Sequence, residues 1–159
     1  MADTVFADLA ARVLSDASPA PAGGFDAGLW AGIEAAGLDS LLLPEDLGGA
    51  GDAFEEAVAV MIAFGRAGAA LPLADTLVAN WCLSRAGLDV PEGPKAFLAA
   101  PDLNRDGAGW SGAAYWLPAL PFGVLVSETE EGASVEAVGG LSGARGQSAC
   151  GEPLLWIDR

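Results

Sequence analysis

The chain has 159 residues, 52% of them hydrophobic, with 7 basic against 22 acidic side chains and a formal net charge of -15 at pH 7. That apolar content excludes a wholly disordered chain, and the length predicts one unit of roughly 100 to 150 residues with room for a second small one. So acidic a surface repels phosphate backbones and anionic headgroups, which excludes nucleic acid and an acidic bilayer as partners.

A first helix is predicted from Thr4 or Val5 to Leu14, with Asp3 or Thr4 as its cap and Val5, Phe6, Leu9 and Val13 on one stripe. The prolines and paired glycines of Ser15 to Gly24 break it. A second helix, about Asp26 to Ala36, carries Leu29, Trp30 and Ile33 at three- and four-residue spacing, and Gly37 suits the left-handed position that ends it. The leucines of Leu38 to Leu43 predict a short buried strand or extended segment, followed by a Pro/Gly-rich turn from Pro44 to Gly51. Asp52 with Glu55 reads as a capping box opening a third helix, which is expected to bury Phe54, Val58, Met61, Ile62 and Gly65. Pro72 suits the first turn of a fourth helix, along which Leu73, Leu77, Trp81 and Ser84 follow one side and Gly87 is the stop.

Beyond Asp89 the pattern changes to short apolar runs between Gly, Pro and acidic turns. Candidate strands are Lys95 to Ala99, Ala113 to Leu117, Val124 to Ser127, Ser134 to Val138 and Leu154 to Ile157. Asn104 to Gly107 and Thr129 to Gly132 are turn sequences able to join antiparallel strands. The expected class is α+β: a helical layer of about four helices over 1–90, then a small, mostly antiparallel β-domain over 91–159.

The chain contains no histidine, which removes imidazole triads, the common zinc sites and imidazole acid–base chemistry. Cys82 and Cys150 lack a partner that would activate a thiolate, and two distant cysteines cannot frame a secreted disulfide scaffold. The first residues carry no basic flank, and no apolar run reaches the roughly 18 residues of a membrane span. A cytoplasmic, membrane-free protein is expected. Glu45 and Asp46 are the acidic pair in the distinctive turn, where a carboxylate either orients a ligand or accepts nearby backbone N–H groups. Gly48, Gly49 and Gly51 could cradle a phosphate through their amides or simply shape the turn; no Lys-Ser/Thr follows them. Arg66 serves a partner chain or a local ion pair, and Trp81 a partner helix or the core. Trp110, Tyr115, Trp116 and Phe122 either line a ligand pocket or fill a small sheet. Lys95 is the single lysine, next to Pro94 at a strand start; Glu128, Glu130, Glu131 and Glu136 read as a solvated edge.

An ordered series through residues 25–88 resembles the amino-terminal helical domain of acyl-CoA dehydrogenases. It comprises Leu29-Trp30, Ala36-Gly37-Leu38 and the turn Leu43-Pro44-Glu45-Asp46-Leu47-Gly48-Gly49-Ala50-Gly51. Phe54-Glu55-Glu56 then opens a helix that ends Phe64-Gly65-Arg66-Ala67, and Leu71-Pro72-Leu73-Ala74 opens the next. Gly109-Trp110-Ser111-Gly112, Ala113 to Pro118 and Gly123 to Val126 look like a hairpin of that family's middle β-domain. The resemblance implies a truncated form covering the helical domain and part of the middle domain.

Family members hold FAD and an acyl-CoA thioester against a carboxy-terminal helical domain. A glutamate of that domain takes the α-proton as hydride passes to the flavin. The resemblance carries neither that glutamate nor the flavin-side Thr-Glu-x-x-x-Gly-Ser strand onto this chain; Thr129 to Ser134 imitates the strand motif only in a later turn. No catalytic residue and no metal ligand is therefore expected, and cofactor-binding residues stay unassigned. What the resemblance implies is a small subunit supporting α,β-desaturation by a larger, FAD-bearing partner, with FAD and acyl-CoA met only in that complex. Self-association is the alternative partnership; a non-enzymatic interaction module, or an inactive fragment, is the alternative function.

Overall fold

The computed structural model describes residues 5–15, 25–99, 103–106, 109–130, 132–148 and 152–157. Among these described residues four helices, α1 (Val5–Ser15), α2 (Ala27–Ala35), α3 (Phe54–Arg66) and α4 (Leu73–Arg85), precede seven strands: β1 (Ala96–Ala99), β2 (Leu103–Asp106), β3 (Gly109–Tyr115), β4 (Gly123–Thr129), β5 (Gly132–Val138), β6 (Ala144–Gln147) and β7 (Pro153–Ile157). The class is α+β, helices first and sheets second.

Apolar spacing and local caps account for the helical layer. Asp26 caps α2 by accepting the Leu29 N–H at 2.9 Å. Leu29, Trp30 and Ile33 of α2 then meet Ala10 of α1, Ala57, Val60 and Phe64 of α3, and Leu73 and Leu77 of α4 in one core. Gly37 and Gly87 take positive φ, +65° and +67°, just past α2 and α4, as their places at helix ends predict. The first predicted cap, Asp3 or Thr4, and the break after Ser15 fall outside the described residues.

Three local expectations are corrected. Leu38 to Leu43 form successive turns and no strand; Leu38, Leu41, Leu42 and Leu43 are all buried, so the run is apolar because it plugs the helical core, not because it pairs. Asp52 does not cap α3: the residue before the helix is Ala53, without a side-chain cap bond, and Asp52 sits at φ +57° with its carboxylate turned to α4. Nor does α3 bury the predicted face. Ala57, Val60 and Phe64 are inside, while Phe54, Val58 and Ile62 are 49%, 49% and 46% exposed.

The strands make two sheets, in the orders β1-β4-β5 and β2-β3-β7-β6. All pairs are antiparallel except β1 with β4, which run parallel with Ala96 opposite Gly123. Alternation divides the first sheet between two neighbours. Ala96, Leu98, Leu125 and Val138 pack with Leu103, Ala114, Leu155 and Ile157 of the second sheet. Phe97, Val124 and Val135 point the other way, onto Ala79 and Leu83 of α4. The order of layers is thus α4, first sheet, second sheet.

Here too the boundaries shift. Asn104 to Asp106, read as a turn, belong to β2, and Gly107 lies outside the described residues. The strand expected to run to Leu117 stops at Tyr115, because Trp116 takes φ +61° and Leu117–Ala119 form a 3-10 turn. The glycine-dense stretch after Gly139 contains β6, paired with β7 from Ala144 opposite Trp156 to Gln147 opposite Pro153. Thr129 and Gly132 do pair as the end rung of the β4–β5 hairpin.

Candidate functional site

A groove of about 220 Å³ opens where the start of α4, the end of β3 and the start of β7 meet, lined by Asp75, Tyr115, Trp116 and Glu152. Each wall is fixed by backbone hydrogen bonds. Asp75, in the first turn of α4, accepts the Phe97 N–H of β1 at 3.1 Å. Trp116 donates its N–H to the Pro153 carbonyl at 2.7 Å, and its own carbonyl accepts from Ala119 at 2.8 Å. A bulky residue at positive φ is costly, by about 1 to 3 kcal/mol, and persists only where the surroundings hold it. Here a buried indole and these two bonds do so. Glu152 is held by Ser148, whose hydroxyl donates to the carboxylate at 3.0 Å while Ser148 N–H reaches the Glu152 carbonyl at 2.9 Å.

Burial raises the Asp75 pKa above the ordinary carboxylate value, partly countered by the Phe97 N–H and by its own backbone N–H; the neighbouring Glu152 charge adds to the rise. Two carboxylates beside an aromatic pair can accept hydrogen bonds and attract a cation or a hydroxyl. They oppose a phosphate. The groove is also smaller than the roughly 300 to 1,000 Å³ typical of small-molecule sites. Its residues therefore do not fit FAD or a CoA phosphate chain by themselves.

The sequence-derived candidates are largely dispersed. Tyr115 and Trp116 reach the groove; Phe122 lies on the other side of the first sheet with Val124 and Leu83, its ring 6.0 Å from the Lys95 ammonium; the Trp110 side chain is outside the described residues. Lys95 is buried, its ammonium donating to the Gly93 carbonyl at 2.8 Å. Burial lowers its pKa, and the charges of Asp39 and Glu34 oppose that shift. In the Pro44–Gly51 turn the amides of Gly48, Gly49 and Gly51 donate to Glu45, Pro44 and Leu43 carbonyls, so they are spent inside the turn and not offered to an anion. Glu45 and Asp46 are exposed there.

Trp81 is half-buried at the α3–α4 edge. Its indole N–H donates to Asp52 at 3.0 Å, and the Arg85 guanidinium lies over its ring. Arg66 is exposed in the last turn of α3, and Glu128, Glu130 and Glu136 lie along the β4–β5 hairpin. Burial pushes the Cys82 thiol pKa up, away from a reactive thiolate; Cys150 and Glu131 lie outside the described residues. Among the described residues no group of three His, Cys, Asp or Glu is placed to hold a metal, and no helix is long and apolar enough to cross a membrane.

Sequence reasoning missed Asp75 and Glu152. Only the α4–β1 docking and the β6–β7 hairpin bring them together, and nothing local in either stretch marks them.

No curated protein matches the chain. Its fold is similar to a chain of a Tcur3481–Tcur3483 steroid ACAD variant, with TM-score 0.70 and 23% identity over 96% of this chain and 54% of that one. It is also similar to a chain of the ChsE4–ChsE5 complex from Mycobacterium tuberculosis, with TM-score 0.59 and 25% identity over 98% of this chain and 54% of that one. The chain spans about half the length of either. The family model for the acyl-CoA dehydrogenase N-terminal domain matches residues 1–90, more than half of the sequence, and the chain belongs to the acyl-CoA dehydrogenase family.

Proposed function

We propose that this chain is a subunit of an acyl-CoA dehydrogenase, with residues 1–90 as its helical domain and 91–159 as an abridged β-domain, acting beside a larger chain that carries FAD. The reaction of the pair is α,β-desaturation of an acyl-CoA thioester. The observation that carries the reading is the match of 96% and 98% of this chain to chains whose names join two proteins, Tcur3481 with Tcur3483 and ChsE4 with ChsE5. The groove supports the same division of labour. Its carboxylates and small volume suit a wall of a larger site, whose phosphate-binding groups and proton-abstracting base the partner supplies. In that arrangement this chain binds, shapes and excludes water.

The test is co-expression with an acyl-CoA dehydrogenase-like chain encoded beside this one. The expected result is a complex that shows flavin absorbance and desaturates an acyl-CoA, with a steroid side-chain thioester as the first substrate tried. This chain alone is expected to be colourless and inactive. A lone chain that binds FAD and turns over acyl-CoA overturns the reading, and a stable colourless complex favours the non-enzymatic interaction module instead.

A further inference from the structure

The groove between α4, β3 and β7 gathers two carboxylates, Asp75 and Glu152, both half-buried. Each is held by a neutral donor: Asp75 by the Phe97 N–H at 3.1 Å, Glu152 by the Ser148 hydroxyl at 3.0 Å. Such bonds fix the position of an acid without cancelling its charge, and the Glu152 charge is felt at Asp75, where it adds to the rise in pKa. Among the described residues no cation pairs with either acid. Arg85 is bound to Asp52 at the far end of α4, Lys95 donates to the Gly93 carbonyl, and Arg145 donates to the Pro118 carbonyl at 3.4 Å.

From this geometry we infer that the groove binds one guanidinium group; the inference rests on the subunit reading above in treating the groove as part of a binding site. Two like charges in one groove are relieved by a cation and not by a neutral hydroxyl. The remaining lining is aromatic: Tyr115, 41% exposed, and Trp116. A guanidinium is flat and weakly hydrated and carries five N–H donors, so it can serve two carboxylates and lie against a ring at the same time. An ammonium is a compact, strongly hydrated point charge with no plane to offer a ring. Size agrees. About 220 Å³ holds a guanidinium on a short stem, although it falls below the roughly 300 Å³ of a whole small-molecule site. An arginine side chain and a free guanidine present the same group, and the experiment separates them.

The experiment titrates the full chain with methylguanidine at pH 7 and constant ionic strength, following amide signals by NMR. Saturable shifts are expected at Asp75, Trp116 and Glu152, with Kd on the order of 1 mM. Methylurea, the neutral molecule of the same shape, and methylammonium should each bind about fivefold more weakly or worse. Asp75→Asn and Glu152→Gln should each cost about fivefold, while Glu55→Gln, which removes an exposed charge on α3, stays within about twofold of wild type. Should Asp75→Asn unfold, Glu152→Gln alone decides. Equal binding of methylurea or methylammonium, shifts that never saturate, or an equal loss in Glu55→Gln overturns the inference. So does binding that appears only in Arg145→Ala, which would show the groove filled by this chain's own arginine. In the co-expressed complex, signals that no longer answer to methylguanidine, together with a complex weakened about fivefold by the groove variants, assign the group to a polypeptide arginine; signals that still answer assign it to a free guanidine. A flavin-bearing complex whose isolated small chain ignores methylguanidine overturns the guanidinium site and leaves the subunit reading intact. A saturable site on a chain that forms no flavin-bearing complex keeps the site and sinks the subunit reading.

Discussion

Asp75 is a half-buried carboxylate, tolerated better at one pH than at another. Its pKa is raised in the fold chiefly by burial. A raised carboxylate pKa means that the folded state holds the proton more tightly than the unfolded chain does. The associated stability is fully present below the unfolded value near 3.8 and is lost as pH rises through the higher folded value. Asp75→Asn keeps an acceptor for the Phe97 N–H without the charge. Equilibrium urea unfolding from pH 3 to pH 7 should therefore show a smaller loss of stability in the variant than in wild type; equal slopes would exclude the Asp75 charge as the cause. Gly49 gives a second case, in which shape alone decides. A Cβ there collides with the Leu43 carbonyl, so Gly49→Ala must shift the turn. It should cost about 1 to 3 kcal/mol in thermal unfolding, against a much smaller effect for Gly65→Ala, which meets open space. The special status of that glycine-rich turn was readable from residue order. Asp75 was not, because an acid in the first turn of a helix is ordinary until the helix docks.

Helix α4 is held to its neighbours by polar side chains, which explains why its apolar pattern is weak for so buried an element. Thr76 is fully buried; its hydroxyl accepts the Lys95 N–H at 2.9 Å and donates to the Pro72 carbonyl at 2.8 Å. Asn80 donates to the Asp39 carbonyl at 3.0 Å. Thr76→Val conserves volume and leaves the Lys95 amide buried without an acceptor, a loss of about 1 to 3 kcal/mol. The melting temperature should fall by roughly 2 to 4 °C per kcal/mol lost, and Thr76→Ser should restore most of it; a Val variant as stable as wild type would remove the pin from the account. Elements with strong apolar periodicity or a clear terminator were legible: α1, α2, α4, β4 and β5. Leu38 to Leu43 misled because an apolar run reads alike whether it pairs in a sheet or plugs a core. The strands β2 and β6 were hidden by Asn104-Arg105-Asp106 and by the glycines around Ala144, sequences that say turn until their partners β3 and β7 supply the hydrogen bonds.

At the scale of the molecule, the helical-then-strand order and the family resemblance over 25–88 were open to a sequence reading, but the parallel β1–β4 pair and the stacking of α4 on two sheets were not. Such an arrangement depends on contacts between residues far apart in the chain, for which local periodicity has no signal. Net charge is the exception, a whole-molecule property fixed by composition. At -15 over 159 residues the folded state brings like charges together, and the Arg85–Asp52 ion pair lies exposed to solvent, where it offsets little of that repulsion. Self-repulsion of this kind is screened by salt, since the Debye length falls from about 30 Å at 0.01 M to about 8 Å at 0.15 M. The isolated chain should melt a few degrees higher at the larger ionic strength, equally in sodium chloride and sodium acetate. Equal gains identify screening, a gain with one anion alone points to specific binding, and an unchanged melting temperature means that the acidic groups are already as well separated in the fold as in the unfolded chain.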